Sequence, residues 1–177
     1  MNFRPMTEGD LAMLCEWLKR PHLQQWWHPG QQTMDEIRGQ YLPVNRSSDD
    51  AWPFIAEHRD EAIGYIQYYD AHAGNNAWWP DRLTPGVIGI DQFLADETRL
   101  DQGLGTRMTG AFCQWLFDEV RAREIRVDPN PDNARAIACY RKVGFRPVAE
   151  ITTPEGPALM MTLAKQDLAR QKDHEHG

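Results

Sequence analysis

Cysteine is scarce in this chain, with three in 177 residues, and that scarcity excludes a disulfide-stapled scaffold. Cys15, Cys113 and Cys139 also fall at no metal-ligand spacing, and each lies in a stretch predicted to be helical. Cys113 borders the apolar face of its helix and reads as core. A nucleophilic cysteine would want a histidine partner, and nothing in the sequence nominates one. The six histidines are scattered, with no HExxH pattern and no His-x-His pair in a helix or strand; His174 and His176 belong to the tail. No metal site is expected. Long apolar runs are missing too: none approaches the roughly 18 residues of a membrane span. The start, Met1-Asn2-Phe3-Arg4-Pro5, lacks the apolar core of an export signal. Neither export nor a membrane partner is expected, and the expected location is cytoplasmic. Positive charge is in deficit, with 19 Lys and Arg against 26 Asp and Glu, a formal net charge of −7. That field disfavours a nucleic-acid partner and suits a cationic one, although solubility alone would account for it. With no internal repeat and no long linker, residues 1–164 are expected to form one domain. Residues 165–177 lose apolar periodicity and read as a fraying tail.

What the chain does have is Gln102-Gly103-Leu104-Gly105-Thr106, two glycines in a polar turn before a long helical pattern. Leu104, Met108, Ala111, Phe112, Trp115, Leu116 and Val120 recur at spacings of three and four and mark one buried face. Glycine lets successive amides turn inward as an anion nest, and the helix start adds its positive dipole end. By itself this motif fits a flexible strand-to-helix turn equally well. It is no Walker loop, since no Gly-Lys-Ser/Thr follows, and Met108 stands where a dinucleotide fingerprint needs glycine. A second element, Asp132 to Phe145, raises the odds of a phosphate cradle. Pro131, Asp132 and Asn133 can start a helix whose face carries Ala136, Ile137 and Tyr140, and Gly144 can end it.

Strand and helix alternate along the chain. A strand at Phe3–Met6 precedes a helix capped by Thr7-Glu8-Gly9-Asp10 and stopped by Pro21. A helical stretch spans about Thr33 to Tyr41. Strands at Trp52–Glu57 and Ala62–Tyr69 form a hairpin, followed by a long loop and a strand at Gly86–Leu94. After the glycine turn and its helix come a strand at Glu124–Asp128, the second helix, and an antiparallel pair at Val148–Thr152 and Ala158–Leu163. Asp91 stands mid-strand between Ile90 and Phe93, where an ionised carboxylate needs a partner or a task. Asp128 ends the next strand, where it either serves a ligand or caps the turn. Trp26-Trp27 and Trp78-Trp79 are read as loop pairs, and Tyr65, Tyr68 and Tyr69 lie on the hairpin. Tyr68 and Tyr69 point to opposite faces, so at most one meets a cleft.

The glycine loop and the second helix together resemble the GNAT superfamily of N-acetyltransferases. More narrowly, Met6-to-Leu14, Glu16-Trp17-Leu18, Trp26-Trp27, Gln40-to-Pro43, Ile63-Gly64-Tyr65, Trp78-Trp79, Gly89-to-Gln92, Gly103-to-Thr106 and Thr152-to-Pro157 look like the aminoglycoside 6'-N-acetyltransferases. The resemblance implies an α/β (α+β) GNAT fold: a mixed central sheet of about six to seven strands flanked by helices, with splayed parallel strands forming the acetyl-CoA cleft. It implies acetyl-CoA as co-substrate, held by Gln92, Phe93, Gln102, Gly103, Leu104, Gly105, Thr106, Asn133 and Ala136. The implied partner is a small polycationic aminoglycoside, acetylated on its 6'-amino group with antibiotic resistance as the result. Trp26, Trp27, Tyr65 and Trp79 would wall the acceptor, and Asp91, Asp128 and Glu155 would meet its amines. Asp91 and Tyr140 would be the catalytic pair, Tyr140 approaching the coenzyme sulfur. Leu100 departs from the Gln or Arg usual three residues before the first loop glycine, Gly74-Asn75-Asn76-Ala77 lacks an expected acid, and Met160 replaces an aromatic residue. Asp91 is either a base or an orienting group. Another amine acceptor (a siderophore hydroxylamine, a polyamine or a peptide N-terminus), a non-catalytic acyl-CoA-binding module, and the choice of monomer or homodimer all stay open.

Overall fold

The computed structural model describes residues 1–27, 30, 32–47, 50–73 and 78–168. Gly74 to Ala77 and the tail histidines lie outside the described residues. Among the described residues, seven strands form one mixed sheet in the order β1-β2-β3-β4-β5-β7-β6. These are β1 (Asn2–Pro5), β2 (Trp52–His58), β3 (Glu61–Asp70), β4 (Val87–Leu94), β5 (Glu124–Val127), β6 (Arg146–Thr153) and β7 (Gly156–Ala164). Only β4 and β5 are parallel; every other neighbouring pair is antiparallel.

The helices are α1 (Leu11–Leu18), α2 (Pro21–Trp26), α3 (Met34–Tyr41), α4 (Leu104–Trp115) and α5 (Ala134–Val143), and α4 continues into a wider turn over Leu116–Val120. Thr7 and Asp10 box the start of the first helical segment, and Arg4 grips both Asp10 oxygens at 2.8 and 2.7 Å. Pro21 does more than stop α1. It occupies the first turn of α2, where its missing N–H and fixed φ fit a helix start. Trp26 therefore ends a helix and Trp27 caps it, so this pair is not in a loop as the sequence suggested.

Alternation along the strands divides the core between the two faces of the sheet. Ile66, Ile88, Ile90 and Ile125 pack with Phe112, Phe117 and Tyr140 under α4 and α5. Ile55, Tyr65 and Phe93 pack with Leu14, Trp17, Ile37 and Tyr41 from α1 and α3. A third cluster, Ala71, Trp79, Leu83, Val87 and Met160, seats the long loop after β3. Each fully buried side chain of this size contributes about 1.5–3 kcal/mol. The expected tail starts too early: Lys165 to Leu168 are helical and Leu168 is 4% exposed within the first cluster. An apolar side chain at the right spacing past β7 is enough to tie that turn down.

Candidate active site

β4 and β5 stay paired through only three positions, Val87 with Glu124, Ile88 with Ile125 and Gly89 with Arg126. β5 then ends and Asp128-Pro129-Asn130-Pro131 follows, where two prolines offer no N–H for a ladder. The parallel strands part in a V. Asp91 and Asp128 sit at matching places, each two residues beyond the last pair. A cleft of about 690 Å³ fills the V and runs from the glycine loop to the aromatic residues of α2.

At one end stand the carboxylates. Gln67, opposite Asp91 in the β3–β4 register, donates through Nε2 to Asp91 Oδ2 at 2.8 Å. Trp78 Nε1 donates to Asp128 Oδ2 at 2.6 Å. Glu155 reaches the same cleft from the β6–β7 turn. Burial pushes both aspartates above the ordinary carboxylate range, the Asp91 charge raises Asp128 further, and Glu155 adds to the rise at both. The donors from Gln67 and Trp78 offset part of this rise. No ion pair among the described residues involves these three acids. Concentrated negative charge held by neutral donors is a site for a ligand with several cationic groups.

Trp78 is placed by a buried arginine. Arg126, 6% exposed on β5, forks onto Asp81 at 2.6 and 2.7 Å, donates to Glu124 at 2.6 Å and lies 5.4 Å from the Trp79 ring centre. The fork ties the loop to β5 two residues before Asp128. Tyr69 enters from β3, its ring lying over Gly89: a Cβ there would stand 2.0 Å from Tyr69 Cζ.

The other end is built by two helix starts. Gly103 caps α4 in the left-handed region, φ 76°, with nothing within 4 Å of where a Cβ would be. The first helical bond inside α4 is Arg107 N–H to Gly103 O at 3.0 Å, so the amides of Leu104, Gly105 and Thr106 precede it without helical partners. Across the cleft, Asn133 Oδ1 accepts from Ala136 N–H at 3.1 Å and caps α5. Ala136 and Tyr140 follow on the same face, and burial keeps the Tyr140 hydroxyl well above the ordinary tyrosine range.

The family profile of the acetyltransferase (GNAT) domain matches residues 6–153. The chain belongs to the GNAT acetyltransferase family. It is 41% identical over 174 residues to the aminoglycoside N(6')-acetyltransferase type 1 of Klebsiella pneumoniae, covering 97% of this chain and 87% of that relative. It is 43% identical over 95 residues to a kanamycin resistance protein of Rhizobium radiobacter, covering 54% of this chain and 88% of the relative. Among solved structures, the aminoglycoside acetyltransferase AAC(6')-Ib in complex with coenzyme A and kanamycin superposes with a TM-score of 0.89 at 42% identity, covering 97% and 98% of the two chains. The mixed sheet with splayed parallel strands is thus the GNAT fold expected from the sequence.

In this GNAT cleft, Trp26, Trp27, Asp91, Gln92, Phe93, Gly103, Gly105, Thr106, Asp128, Asn133, Ala136, Tyr140 and Glu155 all contribute lining. Four expected residues do not. Tyr65 is fully buried behind Gln67, and Trp79 is 3% exposed beneath Arg126. Leu104 is 3% exposed, because the first turn of α4 aims it into the core. Gln102 points away and donates to Thr98 O at 2.6 Å. Gln67, Tyr69 and Trp78 line the cleft in their place. A polar residue midway between Tyr65 and Tyr69 at period two was the signal for Gln67, and a cation inside the short strand Glu-Ile-Arg-Val was the signal for Arg126.

Proposed function

We propose that this chain transfers the acetyl group of acetyl-coenzyme A to the 6'-amino group of aminoglycoside antibiotics, by direct attack in a ternary complex, and so confers resistance in the cytoplasm. The observation that carries the acceptor class is the convergence of Asp91, Asp128 and Glu155 in one cleft, where no ion pair among the described residues involves them. Three carboxylates call for a small polyamine, and Trp26, Trp27, Tyr69 and Trp78 supply ring faces for its C–H surfaces and ammonium groups. The 6' position is the one carried in the name of the Klebsiella relative. Neither nucleic acid nor membrane enters this reading.

The glycine cradle fits a pyrophosphate: open space above Gly103 and free amides at a helix start are what such a group requires. Gly103, Gly105 and Thr106 would hold the coenzyme phosphates, and Asn133 and Ala136 would flank its arm. When bound, acetyl-coenzyme A supplies an acetyl group already activated as a thioester. The chain's own residues do the rest. An ammonium has no lone pair, so the acceptor must give up a proton. Asp91, even with its pKa raised, stays a weaker base than an amine near 10, so its role is to orient the amine and pass the proton to water in the cleft. Past Gly89, β4 has no β5 pairing, and the Gln92 amide, on the edge away from β3, can donate to the acyl oxygen as charge develops there; one such donor is worth about 3 kcal/mol. Tyr140, held protonated by burial, can donate to the departing sulfur.

The test is the structure of the product made from kanamycin and acetyl-coenzyme A by the purified protein. NMR should find one new acetyl group, on the 6' nitrogen. Acetylation at another amine, or none, would overturn the reading.

A further inference from the structure

Tyr65 was expected to touch the acceptor, and the fold denies it that contact while giving it another. Tyr65, Gln67 and Tyr69 alternate on one face of β3, opposite Phe93, Asp91 and Gly89 of β4. The Tyr65 hydroxyl donates to Gln67 Oε1 at 2.6 Å, and Gln67 Nε2 donates to Asp91 Oδ2 at 2.8 Å. The Tyr65 ring cannot swing away. Trp27, Tyr41 and Phe93 hold it at centroid distances of 5.8, 5.3 and 5.5 Å.

A glutamine amide has two unlike ends, and either can face a carboxyl group. We propose that Tyr65 is a positioning residue for the reaction: its buried hydroxyl engages the Gln67 carbonyl, so the amide NH₂ faces Asp91, holds Oδ2 and leaves Oδ1 for the acceptor amine. The proposal rests on Asp91 as the acid beside that amine. Without the hydroxyl, Gln67 Oε1 is left against the aromatic cluster with no partner, a state costly enough to turn or withdraw the amide. The ionised form of Asp91 loses more than the protonated form, because hydrogen bonds to charged groups are the stronger ones. The ionisable groups that face Asp91 are Asp128 after β5, Glu155 in the β6–β7 turn, Tyr140 on α5, Tyr41 on α3, and Tyr65 and Tyr69 on β3 itself. None of these is a cation, and among the described residues Gln67 is the group that favours the carboxylate there.

The experiment is a cycle of Tyr65→Phe, Gln67→Met and the double variant, with thermal melts confirming that each is folded at the assay temperature. For kanamycin, Tyr65→Phe should move the acid limb of kcat/KM upward by about half to one pH unit. It should lower kcat at pH 7 by about 5-fold, and KM for acetyl-coenzyme A should stay put. Gln67→Met should do the same or more, and Tyr65→Phe should add nothing on top of it. An unmoved pH profile in Tyr65→Phe, or effects that add in the double variant, would overturn the proposal. The ¹³Cγ titration of Asp91, assigned with Asp91→Asn, reads the same shift in the enzyme without substrate. If the native protein does not acetylate kanamycin, the proposed function fails, while this titration still decides what Tyr65 does.

Discussion

Asp91 and Asp128 are placed where a carboxylate is expensive, and the direction of their titration follows. Both are raised above ordinary carboxyls by burial first, with Glu155 adding to both and Asp91 adding to Asp128. Between an ordinary value of about 4 and their raised values, the folded chain therefore binds more protons than the unfolded one. Their contribution to stability is full at low pH and is lost as pH rises through the raised values. Asp91→Asn should accordingly raise Tm at pH 8 by a few degrees, at about 2–4 °C per kcal/mol for a chain of this size, and leave Tm unchanged near pH 4. The same substitution should lower kcat by roughly 100-fold or more. Scanning calorimetry at the two pH values and steady-state rates check both halves; a variant with native turnover, or one less stable at pH 8 than at pH 4 relative to the native chain, contradicts this account. Asp91 was legible in the sequence because a mid-strand acid breaks an apolar pattern. The choice between Trp78 and Trp79 was not, since neighbours in an irregular loop have no period, and their placement depends on Arg126 and Asp81, 45 residues apart in the chain.

At the scale of elements, the β3–β4 pairing leaves no room for a side chain at Gly89. Tyr69 lies opposite Gly89, and a methyl group at Gly89 would overlap its ring. Gly89→Ala should push Tyr69 into the cleft, cost about 1–3 kcal/mol of stability and raise KM for an aminoglycoside several-fold with KM for acetyl-coenzyme A unchanged. Melting curves and the two KM values measure this, and equal behaviour of variant and native chain would contradict it. Period-two reading put Tyr68 and Tyr69 on opposite faces, and Tyr68 indeed packs against Phe112 and Trp115 at 6.3 and 5.9 Å. That reading gives the face and not the depth, which is why Tyr65 was placed at the surface of the cleft. Its burial comes from α2 and α3 closing over the sheet, a tertiary contact that the strand's own pattern does not contain. The glycine loop and the α5 cap were readable because both are local backbone devices.

Over the whole molecule, the site exists because of where the sheet fails to pair. β7 inserts between β5 and β6, so the β6–β7 turn carries Glu155 back to the mouth of the V, and the long loop pinned by Arg126 brings Trp78 to the same place. Alternating strands and helices were legible along the chain. The convergence of β3, β4, β5, the loop and the last hairpin on one cleft was available only through the resemblance, because it depends on sheet order. The result is a cleft with one cradle of backbone amides for a coenzyme and one acidic chamber for an amine. The most direct measurement is thiol release from acetyl-coenzyme A with kanamycin, run beside the analogue that carries a hydroxyl in place of the 6'-amine. Release with the amine alone is the predicted result; release with both, or with neither, would contradict acetyl transfer to the 6' nitrogen.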